Sequence, residues 1–219
     1  MRKAAIERIL GLLVQKYGAR SWHSDGSPLA VLVQTILSQN TSDTNSRRAF
    51  ESLIALFPRW EDVAEAGIDV IADAIRTGGL GEIKAKRIRQ ALGEIIRKRD
   101  SFELDFLSEL PLDKARDWLK ELPGVGTKTA DCVLLFALGR PALAVDTHIF
   151  RVSKRLGLVD LRASVGQAHS LLESLVTESE VYQFHTLIIE HGRRVCRARR
   201  PRCYECVLRG HCPGYSELG

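Results

Sequence analysis

Apolar residues recur at helical spacing along almost the whole chain. Near the N-terminus, Ile6, Ile9, Leu10 and Leu13 follow the i, i+3, i+4, i+7 pattern of one buried helix face. The same kind of pattern predicts helices over 28–38, 43–57, 68–75, 84–98, 112–119, 127–138, 147–156, 163–176 and 181–195. The alternating pattern of strands does not occur over a useful length, so the periodicity predicts an all-α protein.

Length and composition are those of a globular protein. The chain has 219 residues, of which 45% are hydrophobic and 27% charged, enough for one large domain or two small ones. The longest apolar run, 132–138, is far shorter than the ~18 residues that a membrane span needs. The N-terminus has charges within its apolar part and no small-residue cleavage site, unlike a signal peptide. These features predict a soluble, cytoplasmic protein with no membrane partner.

The charge balance favours a nucleic-acid partner. Lysine and arginine number 32 against 27 acidic residues, for a net charge of +5, although a solvated basic surface would look the same. Aromatic residues make up only 6%, which disfavours an aromatic stacking platform for single strands.

A glycine-rich turn between two helical segments indicates an anion site. The turn runs from Leu122 through Pro123, Gly124 and Val125 to Gly126. Glycines permit positive φ and close approach of another backbone, and the first amides of the following helix lack intrahelical partners. A DNA phosphate suits such amides, whereas a plain helical hairpin would also use glycine for its geometry.

Two residues could supply chemistry beside this turn. Lys128 lies in the first turn of the second helix, where the helix dipole disfavours a cation and so favours the neutral amine of a nucleophile; a phosphate-binding lysine is the alternative. Asp146 begins the segment 146–151 as a helix N-cap. It could also accept a proton or stabilise a cationic sugar. His148 and Arg151, one turn apart, could contact phosphate or simply pack.

Four of the five cysteines form a tight cluster near the C-terminus. Cys196, Cys203, Cys206 and Cys212 follow one another with spacings of six, two and five residues. Four thiolates in one loop suit a [4Fe–4S] cluster. A structural zinc is the alternative, but four-cysteine zinc sites usually have two C-x2-C pairs and this chain has one. Cys132 is interpreted as a core thiol. The loop also carries a dense group of arginines, Arg197 among them, that could grip a phosphate backbone.

Together these motifs resemble the endonuclease III family, the iron–sulfur branch of the helix-hairpin-helix DNA glycosylases. The resemblance spans about 28–212 and rests on three segments, which are 122–130, 145–151 and 191–196 running into the cysteine loop. It implies two helical lobes with DNA at the cleft between them. One is a six-helix domain over 22–140 that contains the hairpin, and the other joins 1–21 to 141–219 and carries the [4Fe–4S] cluster.

The resemblance also implies roles for individual residues. Lys128 matches the Schiff-base lysine and Asp146 the essential aspartate, and Leu80 matches a leucine wedge. The loop 37–43 departs from the usual bacterial form, so either Gln39 or Asn40 could fill the space left by a flipped base, and we favour Gln39 for its longer reach. The implied DNA contacts are Gln39, Asn40, Leu80, Leu122, Gly124, Gly126, His148, Arg151 and Arg197.

The function implied is that of a bifunctional DNA glycosylase and abasic-site lyase of base excision repair. It would excise oxidised, ring-saturated pyrimidines through a lysine Schiff base and cut the strand by β-elimination. Double-stranded DNA with base lesions or abasic sites would be its partner, and the protein would be a nucleoid-associated monomer. Two alternatives are a monofunctional glycosylase for another base, against which Lys128 argues, and a non-catalytic iron–sulfur DNA-binding protein.

Overall fold

Helices make up the regular secondary structure of the described chain. The computed structural model describes residues 2–215, in which no strand occurs, as the periodicity predicts. The α-helices of this range are α1 (Arg2–Tyr17), α2 (Pro28–Ser38), α3 (Asp43–Leu56), α4 (Trp60–Glu65), α5 (Ile68–Ala74), α6 (Gly81–Arg99), α7 (Leu112–Lys120), α8 (Thr127–Cys132), α9 (Thr147–Arg155), α10 (Val165–Leu175) and α11 (Val181–Arg194). Within residues 2–215, no helix is long and apolar enough to cross a membrane.

The chain divides into two compact units. Ser24–Arg140 forms a continuous unit that contains α2 to α8. The residues up to His23 join those from Pro141 onward in a second, discontinuous unit, which contains α1 and α9 to α11. The hairpin therefore belongs to the first unit and the cysteine loop to the second.

Helix α2 forms the core of the continuous unit. Its apolar sequence begins with Pro28 at the first helical position, and the Ser27 hydroxyl caps it by accepting from the Ala30 amide at 3.3 Å. Seven of its eleven residues are buried, because α3, α6 and α8 all pack against it. The helix ends at Ser38, directly before the loop that holds Gln39 and Asn40.

The hairpin consists of α7 and α8, held together by an ion pair. The Arg116 Nε donates to the fully buried Asp131 carboxylate at 2.6 Å. The single helix predicted over 127–138 changes after Cys132 into a π-helical segment, Val133–Ala137. Gly139 adopts φ +64° and ends that segment. Hydrophobic spacing cannot distinguish these two helix types here, because 133–137 is an unbroken apolar run and so shows no period.

Helices α1, α10 and α11 pack together in the discontinuous unit, and α9 lies against α11. Polar contacts reinforce this packing. The Tyr17 hydroxyl lies 3.1 Å from Nδ1 of His191, and Arg20 forms an ion pair with Glu190 at 2.8 Å. Both pairs join the N-terminal segment to α11.

Two helices of the continuous unit differ from the sequence prediction. Helix α4 was not predicted, because its six residues include one buried apolar side chain, Val63, and so show no period. Helix α6 starts three residues earlier than predicted, at Gly81. Leu80 precedes it in the left-handed region, with φ +53°.

Candidate nucleic-acid interface and cysteine cluster

The turn between α7 and α8 has the backbone geometry that its glycines permit. Gly124 adopts φ +80°, and the Leu122 carbonyl accepts from the Val125 amide at 3.1 Å. Gly126 is the exposed N-cap of α8, and no side chain of the described residues caps this helix. The first amides of α8 are thus available to an external acceptor.

Gly124 is also constrained by its neighbour. A Cβ at this position would lie 2.9 Å from Cδ of Arg87, which passes directly beneath the turn. Both the positive φ and this close approach require glycine.

Lys128 occupies the exposed side of the first turn of α8. Among the described residues its amine has no ion-pair partner. The neighbouring Thr129 and Ala130 are buried, so the helix is anchored while the lysine projects outward. An accessible amine on a fixed backbone is what a nucleophile requires.

Asp146 is the N-cap of α9. Its Oδ1 accepts a hydrogen bond from the Ile149 amide at 2.7 Å, which confirms the predicted N-cap. Capping needs one carboxylate oxygen, and the half-buried side chain retains a second for other chemistry. Lys128 lies in the continuous unit and Asp146 in the discontinuous one.

His148 and Arg151 interact with each other and with the interior of their unit. Nη2 of Arg151 lies 3.1 Å from Nδ1 of His148 and donates to the Gly192 carbonyl at 2.9 Å. Its Nε donates to the Cys196 carbonyl at 3.1 Å. Burial lowers the pKa of the Arg151 guanidinium. Arg151 thus links α9 to α11 and to the cysteine loop, which agrees with the packing alternative of the sequence analysis.

The loop after α2 places its two amide side chains differently. The Gln39 Oε1 accepts from Nη1 of Arg87 at 2.6 Å, and its Nε2 donates to the Gly124 carbonyl at 3.4 Å. Asn40 is exposed and adopts φ +54°. Leu80, in the loop before α6, is also left-handed and 51% exposed. Gln39 is therefore held against the hairpin, whereas Asn40 and Leu80 occupy exposed tips.

The four clustered cysteines line one cavity. The rest of its lining consists of Val152, Arg155, Leu156, His191, Val195, Arg209 and Tyr215. Burial raises the pKa of the Cys206 and Cys212 thiols, and repulsion from the other cysteines adds to this effect. Backbone amides of Leu208 and Gly214 oppose it by hydrogen bonding to the two sulfurs. Within residues 2–215, no three His, Cys, Asp or Glu side chains are grouped so as to hold a single metal ion.

Arg155 holds the start of the cysteine loop. Its guanidinium donates to the carbonyls of Arg197 at 2.7 Å and Ala198 at 3.2 Å, and lies 3.3 Å from the Cys196 sulfur. Its own carbonyl accepts from the Cys212 thiol at 3.2 Å. Arg197 itself is exposed, as a phosphate contact would require. Sequence analysis did not single out Arg155, because one arginine in a basic helix carries no distinctive signal.

Comparison with known proteins supports the resemblance. Residues 33–178 match the model of the HhH-GPD superfamily of base excision DNA repair proteins. The chain is 34% identical to the endonuclease III of Thermotoga maritima over 98% of this chain and 95% of that protein. It is 35% identical to the endonuclease III of Sulfolobus acidocaldarius over 85% of this chain and 82% of that protein.

Solved structures show the same relationship. A non-covalent endonuclease III–DNA complex matches with a TM-score of 0.85 and 30% identity, over 98% of this chain and 97% of that chain. A trapped covalent endonuclease III–DNA intermediate with an estranged adenine matches with the same values. The chain therefore belongs to the endonuclease III family, the bifunctional DNA glycosylases and lyases of base excision repair within the helix-hairpin-helix superfamily.

Proposed function

We propose that this protein removes oxidised, ring-saturated pyrimidines from double-stranded DNA and cuts the strand at the resulting site, with Lys128 as the nucleophile. The observation that carries the proposal is the exposed amine of Lys128 on the first turn of α8, directly after the glycine turn. A damaged base costs less to unstack than a normal one, so its nucleotide is extruded more readily. The proposed partner is duplex DNA, bound by a monomer in the nucleoid.

In the first step the neutral amine of Lys128 attacks the sugar C1′. The electron pair of the N-glycosidic bond leaves with the base, which takes up a proton, and the attacking amine loses one proton. The C1′–O4′ bond then breaks, O4′ takes up a proton, and C1′ forms a double bond to the lysine nitrogen, which gives a protonated Schiff base. The Schiff base makes the C2′ proton acidic. Loss of this proton forms the C2′–C3′ double bond and expels the 3′ phosphate, which is β-elimination.

We assign Asp146 the stabilisation of positive charge on the sugar and the acceptance of a proton. Its Oδ1 is held by the Ile149 amide, so the orientation of the carboxylate is set before DNA binds. The exposed turn at Gly124 and Gly126 would anchor the DNA backbone through amide–phosphate hydrogen bonds. Leu80 and the loop of Gln39 and Asn40 would fill the space left by the extruded nucleotide.

We propose further that Cys196, Cys203, Cys206 and Cys212 hold a [4Fe–4S] cluster. Four sulfurs line one cavity, and the single C-x2-C pair among the four cysteines favours an iron–sulfur cluster over a four-cysteine zinc site. When bound, the cluster supplies a rigid frame for the Arg197 loop. The discontinuous unit would then correspond to the cluster domain that the resemblance implies over 1–21 and 141–219, and the continuous unit to the helix-hairpin-helix domain that it implies over 22–140.

Borohydride trapping on DNA with an abasic site tests the proposal. Borohydride reduces a Schiff base to a stable amine, so the wild-type protein should become covalently attached to the DNA. Lys128→Ala should abolish attachment while binding to the same DNA persists. Lys120→Ala, which removes another exposed lysine from the hairpin helices, should retain attachment. Undiminished trapping of Lys128→Ala would assign the reaction to another amine, and absence of trapping in the wild type would contradict the lyase itself.

A further inference from the structure

Lys84 is an unusual residue in the core of the continuous unit. It lies on α6 and is 1% exposed. Among the described residues no carboxylate pairs with it, and burial together with repulsion from Arg87 lowers its pKa. Burying an ammonium group without a counter-charge is costly, and an apolar side chain of similar size is often no less stabilising. Fold stability alone thus gives little reason for a lysine here.

The Lys84 amine has two hydrogen-bond acceptors, which come from different segments. Its Nζ donates to the Leu37 carbonyl at 2.7 Å and to the Gly78 carbonyl at 2.8 Å. Leu37 lies in the last turn of α2, where carbonyls lack intrahelical partners and the helix dipole attracts a cation. Gly78 ends the short 3-10 turn Arg76–Gly78. One nitrogen thus bridges the ends of two helical segments.

Each of these segments leads directly into an exposed tip. Gln39 and Asn40 follow the end of α2, and Gly79 and Leu80 follow the 3-10 turn. Both tips contain a non-glycine residue in the left-handed region, Asn40 at φ +54° and Leu80 at φ +53°. This conformation costs roughly 1–2 kcal/mol for a side chain such as leucine and less for asparagine, so at Leu80 it persists only where the surrounding contacts impose it.

Packing around Gly78 shows that the bridge has little freedom. A Cβ on Gly78 would lie 3.1 Å from Cβ of Ala49 on α3 and 4.0 Å from the Lys84 Nζ. The Gly78 backbone is therefore confined between α3 and the ammonium group. One turn further along α6, Arg87 binds Gln39 and supports the hairpin turn at Gly124. The same face of α6 thus contacts both tips and the hairpin.

We propose that Lys84 is a positioning residue for base extrusion, which holds the Gln39–Asn40 tip and the Leu80 tip at a fixed separation so that they enter the duplex as one rigid wedge. The inference rests on the proposed function, because it assigns both tips to DNA. Because the tips are already ordered before DNA binds, their entropy loss does not add to the barrier to base extrusion. It should contribute little to cleavage of an abasic site, where no base has to leave the stack.

Comparison of two reactions tests this role. Lys84→Met should lower excision of thymine glycol from a duplex by about 10-fold or more, while β-elimination at a preformed abasic site stays within about twofold of wild type. Fluorescence of 2-aminopurine beside the lesion should show the matching loss of unstacking. The amide of Lys84→Gln still has two N–H donors for the two carbonyls, so its rate of excision should lie between those of Lys84→Met and the wild type. If Lys84→Met does not fold, the same comparison is made with Lys84→Gln.

Ile88→Ala is the matched control, because Ile88 is equally buried on α6 and makes no polar contact with either tip segment. A merely structural role for Lys84 would lower both reactions by the same factor, as Ile88→Ala should. Equal losses in both reactions, or no loss in either, would overturn the inference. Failure of the proposed function is separate, since it would appear as absence of trapping and excision in the wild-type protein.

Discussion

Asp146 has a structural role that the structure shows and a chemical role that we propose. Its Oδ1 caps α9, and the proposed role toward the sugar falls to the remaining oxygen. The two roles are separable at residue level, because asparagine caps a helix as well as aspartate does but carries no charge.

Asp146→Asn is therefore expected to retain the fold and the melting temperature while turnover falls by about 10²-fold or more, the range seen when a charge-stabilising group is lost. Single-turnover excision and thermal denaturation measure the two effects. Ser164→Ala is the control, because Ser164 caps α10 in a capping box; it should cost about 1 kcal/mol of stability and leave turnover unchanged. Normal turnover with a lower melting temperature in Asp146→Asn would reduce Asp146 to a cap.

The adjacent amides Gln39 and Asn40 differ in what already binds them. Gln39→Ala is expected to lower excision of a paired lesion far more than cleavage of a preformed abasic site, because the latter needs less extrusion energy. In the structure the side-chain Oε1 of Gln39 accepts a hydrogen bond from Arg87. This bond must break before Gln39 can insert into DNA. Excision of a paired lesion and cleavage of a preformed abasic site, measured on Gln39→Ala and Asn40→Ala, decide which of the two amides inserts into the duplex.

Selective loss in Asn40→Ala but not in Gln39→Ala would assign insertion to the exposed Asn40. A third possibility is that Gln39 acts by holding its loop against the hairpin through Arg87. In that case Arg87→Ala should reproduce the loss seen in Gln39→Ala.

At the scale of elements, the hairpin uses its two glycines for different reasons. Gly124 needs its positive φ and the space occupied by Arg87. Gly126 has an extended conformation, and nothing lies within 4 Å of a Cβ built on it. Only the first is therefore required by the fold.

Gly124→Ala should destabilise the protein by about 1–2 kcal/mol, which is the cost of a left-handed alanine. The loss should be larger if Arg87 cannot move away from the new methyl group. Gly126→Ala should cost less stability than Gly124→Ala, because alanine is only a poorer N-cap than glycine. It should weaken binding to duplex DNA, because its methyl group would stand between the α8 amides and a phosphate. Chemical denaturation and DNA titration measure the two effects. Equal stability losses in both variants would contradict this division.

At the scale of the whole molecule, two units carry different parts of the proposed chemistry. The continuous unit holds Lys128, the hairpin and the tips, and the discontinuous unit holds Asp146 and the cysteines. Within the latter, Arg151 and Arg155 connect the helix that begins at Asp146 to the cysteine loop.

The purified protein should be brown and contain about four irons per chain, as a [4Fe–4S] cluster requires. Cys203→Ser should remove the colour and weaken DNA binding, because the Arg197 loop loses its frame. Cys132→Ser, which changes the cysteine buried outside the cluster, should keep the colour. Iron analysis and visible absorption measure this, and a colourless protein with one zinc would contradict the assignment.

Much of this protein could be predicted from its sequence alone. Within residues 2–215, the spacing of apolar residues predicted the α-helices except the short α4. Asp146 was identified as a cap because capping depends on the three residues that follow it. The glycine turn was likewise recognisable, since backbone freedom is a local property. Family membership followed from motifs whose own residues lie close together along the chain, and the comparisons confirm it.

Contacts between distant parts of the chain were decided only by the tertiary structure. Lys84 belongs by sequence to a basic, amphipathic helix, and only packing shows that it is buried between α2 and the 3-10 turn. Arg87, Arg151 and Arg155 look like surface cations in the sequence, yet they bind side chains and carbonyls up to 48 positions away. The reason is physical. Local sequence determines where a helix forms and which face is apolar, whereas the partner of a long polar side chain depends on which segments the folded core brings beside it.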